Sequence, residues 1–245
     1  MQIDIRSDVK QLTKSLNRIQ RKQIPFATVV AINQTARDIR RAEYTSMRNV
    51  FNKPTTYTVP SNIDKPGKKG SIFVKNADKK NLIAEVFIKN LSAGKGTPAI
   101  NYLGPQIFGG TRKAKASEKS LRRKGLIASN KFITPANVNL NASGNVTKGT
   151  MTKILSGLNA LPGVAKGSKS RQKKSYFVMR LGGQGSETGI WERTSRKNIK
   201  KLFNITRAPT YRPRLKWFDI ANRTIRHKFE RNFKTSLRKA LKTAR

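Results

Sequence analysis

The chain has 245 residues, no cysteine, a single histidine, and 53 Lys or Arg against 12 Asp or Glu, for a formal net charge of +41. Disulfides and thiolate metal sites are excluded, and a His-based metal site or Ser-His-Asp triad would have to be built on His227 alone. Like charges at this density oppose a compact fold, so the composition calls for a polyanionic partner, nucleic acid first.

The bias is extreme between Glu118 and Glu187, where thirteen Lys or Arg meet no acidic residue. Eleven Phe, five Tyr and two Trp are spread along the chain, unlike a disordered basic tail, so at least part of it is expected to fold, as one large domain or two small ones. No apolar run approaches the roughly 20 residues of a membrane span. The opening Met1-Gln2-Ile3-Asp4-Ile5-Arg6 lacks the apolar core of a signal peptide, so synthesis in a cytoplasm is expected.

Residues 1–5 alternate as a short strand does. Asp8 is placed to cap a helix carrying Val9, Leu12, Leu16 and Ile19 on one stripe. That helix is expected to stop before Pro25, which suits the first turn of a second helix running to about Val50. Val29, Ile32, Ala36, Ile39 and Met47 share a face of the second helix, and Arg37, Arg40, Arg41 and Arg48 line the other. Residues 53–70 read as loop. Ser71–Lys75 and Leu82–Lys89 read as a hairpin, with turn chemistry at Asn76-Ala77-Asp78.

Residues 92–175 are rich in Gly, Ser, Asn and Lys, with short apolar pieces at Ile107-Phe108, Leu126-Ile127, Phe132-Ile133 and Met151–Leu158. Ala114–Lys124 predicts a basic helix, Thr147–Leu158 a second short one, and Leu161–Lys174 a mobile loop. Tyr176–Leu181, Gly189–Arg193 and Asn198–Arg207 read as strands, with a turn at Gly182-Gly183. Past Pro209 and Pro213, a long helix from about Trp217 carries a stripe of Phe218, Ala221, Ile225, Phe229, Phe233, Leu237 and Leu241.

The expected class is therefore α+β: two N-terminal helices, a small antiparallel sheet, a basic loop-rich insertion and a long C-terminal helix. The expected division is 1–91, an insertion over 92–175, and 176–245, with the outer two parts forming one core.

Catalytic patterns are thin. Gly163–Ser170 has three residues between its glycines and places Ser168 before Lys169, which breaks the phosphate-loop spacing. The carboxylates do not cluster as glycosidase or metal-nuclease chemistry requires. Asp4 and Asp8 lie near a helix start, Glu187 and Glu192 flank a strand, and Glu43, Asp219 and Glu230 lie among arginines, where ion pairing accounts for them. No enzyme, cofactor or metal is expected.

The basic residues carry the signal. Arg112, Lys113, Lys115, Lys119, Arg122, Arg123 and Lys124 form one block, and Lys169, Arg171, Lys173 and Lys174 a second. Arg193, Arg196, Lys197, Lys200 and Lys201 open a third that continues to Arg207, Arg212 and Arg214. The last helix adds Arg223, Arg226, Lys228, Arg231, Lys234, Arg238, Lys239 and Lys242. Without zinc-finger, RNP or helix-turn-helix patterns, this layout fits phosphate contact without base readout.

Ile24-Pro25-Phe26-Ala27 followed by Ala31-Ile32-Asn33-Gln34-Thr35-Ala36 resembles the opening of the minor tail protein Z family of lambdoid phages, itself very basic. Tyr102-Leu103-Gly104, Gln106–Arg112, Glu118–Arg122, Gly125-Leu126-Ile127, Leu140–Val146, Ile154-Leu155-Ser156, Gly189–Arg193 and Pro209–Arg212 are similar to a wider group of prophage structural proteins. The middle section is longer than in the tail protein Z pattern. The resemblance implies a virion component of the neck or tail, acting in tail completion or head–tail joining. It brings no catalytic residues.

With the charge, the expectation is a ring of copies that meets portal, neck or tail proteins and contacts genomic DNA without sequence preference. The protein would be made in the host cytoplasm and would reside in the virion. The competing expectation is a cytoplasmic, sequence-independent nucleic-acid-binding protein of ribosomal or nucleoid type.

Overall fold

The computed structural model describes residues 2–5, 18–65, 70–90, 96–161, 175–180 and 188–243. The predicted helix residues Val9, Leu12 and Leu16, the Gly163–Ser170 stretch, the predicted 161–174 loop beyond Leu161, the Gly182-Gly183 turn and Glu187 lie outside these residues. The class is α+β. The chain divides into two compact units, one formed by Met1–Phe108 with Pro213–Arg245, the other by Gly109–Arg212. The expected insertion at 92–175 is thereby corrected at both ends. Residues 99–108 fold with the first unit, and the strands after residue 175 fold with the second.

In the first unit, β1 (Gln2–Ile5), β2 (Ile72–Lys75) and β3 (Ala84–Ile88) form an antiparallel sheet in the order β1-β3-β2. Ala84, Val86 and Ile88 alternate into the core, as the period-two pattern requires. The predicted hairpin is present. Asp78 fixes its turn by accepting from Lys80 N and Asn81 N, both at 2.7 Å.

Helix α1 (Arg18–Val50) runs unbroken through Pro25, against the expected stop there. An internal proline costs about 3 kcal/mol locally. Burial of Ile24, Ala27, Ala31 and Ile32 on the flanking turns outweighs that cost. Ile32, Ala36, Ile39 and Met47 face the core as predicted.

Glu43 falls on that same stripe, and the expectation that it pairs with arginine is wrong. Its side chain is fully buried and neither carboxyl oxygen has a hydrogen-bond partner. Burial pushes its pKa up to about 9, so the group is neutral at pH 7.

Helix α2 (Ala99–Phe108) runs against the sequence expectation, because Gly104 and Pro105 are local breakers. Buried Ala99 and Leu103 hold it in the core. Its carbonyl at Gln106 receives Arg214 N and Leu215 N at 2.7 and 2.9 Å, which fixes the start of the last segment.

Helix α5 (Trp217–Thr243) runs antiparallel to α1, with Lys239 and Thr243 near Phe26 and Arg223 near Asn49. Its fully buried residues are Trp217, Ile220, Ala221 and Ala240. Of the predicted stripe, Ala221 is buried, Ile225 and Phe229 pack on the core, and Phe233 and Leu237 are half-buried. Phe218 and Leu241 are both exposed, and Phe218 packs on Phe108 with ring centroids 6.3 Å apart. Asn232 Nδ2 ties α5 to α1, donating to Thr35 Oγ1 at 3.1 Å and Asp38 Oδ2 at 2.9 Å.

The second unit is built on the antiparallel sheet β5-β8-β7-β6, from β5 (Phe132–Pro135), β6 (Ser175–Arg180), β7 (Thr188–Arg193) and β8 (Ile199–Thr206). Helices α3 (Ala116–Arg123) and α4 (Lys148–Gly157) match the two short helices predicted. Thr147 caps α4, its Oγ1 accepting from Thr150 N at 3.2 Å. Leu121, Ile154, Leu155, Ile190, Leu202 and Phe203 close a core of their own. The chain enters this unit through β4 (Gly110–Thr111) and leaves through β9 (Thr210–Tyr211), which pair antiparallel.

Candidate nucleic-acid interface

The first basic block of the second unit splits into engaged and free cations. Arg112 leaves β4 and grips Glu118 bidentately, with Nη1 on Oε2 at 2.7 Å and Nη2 on Oε1 at 2.6 Å. The Arg112 side chain is only 9% exposed and that of Glu118 is fully buried. Glu118 also accepts from Lys115 N at 2.7 Å, at the start of α3, and from Ile133 N at 3.1 Å, on β5. One carboxylate thus joins a strand end, a helix start and the sheet. Burial pushes the Glu118 carboxyl up. The Arg112 hydrogen bonds, the two backbone donors and the Arg112 charge together outweigh it, so the pKa lies below the usual carboxylate range.

Arg122 is committed as well. Its guanidinium lies 4.8 Å from the Phe132 ring centroid, and its Nη2 donates to Lys131 O at 2.7 Å. The Arg112 guanidinium lies 4.9 Å from the same ring. Two of the seven cations in this block, Arg112 and Arg122, are therefore structural.

Lys113, Lys115, Lys119, Arg123 and Lys124 remain exposed. Lys119 and Arg123, four residues apart, lie on one ridge of α3, and Lys115 precedes them as the extended N-cap residue. Arg123 and Lys124 sit at the helix C-terminus, where the backbone dipole favours cations.

The third block forms a hairpin tip between β7 and β8. Thr194 N and Ser195 N donate to Asn198 O at 3.0 and 3.3 Å, and Asn198 N donates to Ser195 Oγ at 3.1 Å. This closed turn displays Arg196 and Lys197, with Arg193 and Lys200 on the flanking strands, all four exposed. Arg193 rests its guanidinium 5.7 Å from the Phe177 ring and donates to Arg196 O at 3.3 Å. Lys201 is half-buried with its ammonium 5.2 Å from the Trp191 ring. It serves packing more than it faces a ligand.

The two patches are not one. Phe132 pairs with Thr206 at one end of β8, and the hairpin tip begins at Ile199 at the other. At about 3.3 Å per residue the separation along β8 is roughly 20 Å. The second block, Lys169, Arg171, Lys173 and Lys174, lies outside the described residues.

The lysines and arginines are legible in the sequence, whereas the hold of Glu118 on Arg112 is not. The spacing Lys115-x-x-Glu118 is half of a capping-box pattern and was the available signal. Among the described residues no group of three or more His, Cys, Asp or Glu is placed to hold a metal ion. No described helix is long and apolar enough to cross a membrane. His227 is exposed on α5. No family model matches the chain, no curated protein matches its sequence, and no solved structure matches its fold.

Proposed function

We propose that this protein is a structural, non-catalytic component of a bacteriophage virion at the neck or tail. It would complete the tail or join head to tail as a ring of copies. Its exposed cations would contact genome phosphates or acidic faces of neighbouring proteins.

The observation that carries the reading is the set of exposed lysines and arginines on ordered elements, the α3 ridge and the β7–β8 tip, in a chain of net charge +41. The backbone under these cations is already ordered by a capped helix and a closed hairpin, so meeting a phosphate backbone orders side chains alone, and contacts to phosphates read no bases. The resemblance to the minor tail protein Z family supplies the virion context.

The test is to look for the protein in purified virions and in ribosome and nucleoid fractions of infected cells, and to sediment it with its tail partners. Presence in virions and a closed oligomer support the reading. Enrichment with ribosomes or bulk nucleoid, without virion association, favours the nucleic-acid-binding alternative.

A further inference from the structure

The first unit carries a surface of a different kind. Two contiguous hollows, of about 630 and 560 Å³, run along the seam between α1 and α5 and share Asp38, Arg41 and Lys228. On α1 the furrow extends from Phe26 to Asn49. At 1.5 Å per residue this is about 35 Å, or six helical turns.

One end has an apolar floor. Phe26 and Val30, one turn apart, are 44% and 37% exposed. The walls are cationic, with Arg223, Lys228, Arg231 and Lys239 lining the furrow from α5. No described carboxylate pairs with these four. Asp38, the acid within the furrow, is already engaged by Asn232 Nδ2 at 2.9 Å, Gln34 Nε2 at 3.2 Å and Arg41 Nη1 at 3.3 Å.

We propose that this furrow docks an acidic amphipathic helix of a partner protein. Carboxylates of that helix would meet the α5 cations, and an apolar pair at i,i+4 would sit on Phe26 and Val30. Charge complementarity selects this occupant. A second copy brings another +41 to a basic furrow. Duplex DNA leaves an apolar floor unused. The inference concerns the first unit alone and stands whether or not the protein resides in a virion.

The test uses the full chain at physiological salt and a fluorescein-labelled helical peptide, glutamate on one face and paired leucines on the other. Fluorescence anisotropy reads its affinity against polyglutamate of equal charge and a duplex DNA. The peptide is expected to bind more tightly than polyglutamate. Val30→Asp and Lys239→Glu are each expected to weaken it at least about tenfold, with duplex affinity for Val30→Asp changed less than about twofold. Both side chains are exposed, and circular dichroism checks that the variants fold. Equal binding of peptide and polyglutamate would overturn the proposal, as would an unaffected Val30→Asp variant or displacement of the peptide by duplex. Loss of self-association in Val30→Asp would make a second copy the occupant, and that also overturns it.

Discussion

Asn33 closes both sides of its amide on the backbone of Ala77. Its Nδ2 donates to Ala77 O at 3.0 Å, and Ala77 N donates to its Oδ1 at 2.7 Å. The buried side chain of a helix thus replaces a strand partner for the start of the β2–β3 turn. Asn33→Ala would leave a buried donor and a buried acceptor unsatisfied and is expected to cost about 2–4 kcal/mol. Asn33→Asp would keep one bond and lose the other. Urea unfolding should rank the wild type first, and equal midpoints for all three chains would refute this role.

Glu43 gives the first unit a stability that depends on pH. Its folded pKa of about 9 lies well above the ordinary 4.5. Between these values the folded state holds a proton that the unfolded state has released, so the contribution is full below about pH 4.5 and is lost as pH rises towards 9. Glu43→Met, similar in volume, is expected to raise stability at pH 8 by a few kcal/mol and to flatten the slope between pH 5 and 8. Urea titrations of both chains at the two pH values measure it. Parallel slopes would show that Glu43 is ionised and paired.

Arg112→Ala is expected to destabilise the second unit by about 3–5 kcal/mol, since it strands the buried Glu118 carboxylate. Glu118, with its lowered pKa, contributes above the unfolded carboxylate pKa, and that contribution is lost as pH falls through its folded pKa. Acid should therefore loosen this unit while it relieves Glu43 in the other. Hydrogen exchange resolved by segment would report the two trends separately.

Lys119, Arg123 and Lys124 replaced together by Ala should weaken binding to all DNA duplexes alike. The salt slope should fall by roughly one unit for each phosphate left without its cation. The fold should survive, each exposed change costing under about 0.5 kcal/mol. Arg122→Ala, by contrast, removes the guanidinium beside Phe132 and should lower stability more than DNA affinity. Anisotropy titrations at several salt concentrations, paired with thermal melts, separate the two. Salt-insensitive or sequence-selective binding would sink the phosphate picture.

Local signals made much of the fold readable. Thr147 caps α4 as its position before the helix requires, and the β-branched run of Ile72–Lys75 and Ala84–Ile88 pairs around the Asp78 turn. What escaped was set at long range. Helix α2 survives Gly104 and Pro105 because Leu103 is buried, and the β5 and β9 pairings join residues far apart in the chain. The same limit applied at the site. A run of lysines and arginines announces a polyanion, but nothing in the run says that Arg112 is held by a carboxylate and that Arg122 lies against a ring 4.8 Å away. Glu43 escaped because a charged residue on a core stripe looks identical, in sequence, to one at its edge.

Gly110 pairs with Tyr211 and Thr111 with Thr210, so the way into the second unit and the way out are hydrogen-bonded neighbours. Everything between them is, topologically, one oversized hairpin loop. An Asn-Gly turn joining Thr111 to Thr210 would close the same ladder in two residues. The second unit is thus an insertion joined to the first unit's chain at a single paired point. The two units keep separate cores with no residue in common, so a change of charge on the α3 ridge or the β7–β8 tip leaves the packing beneath the furrow untouched.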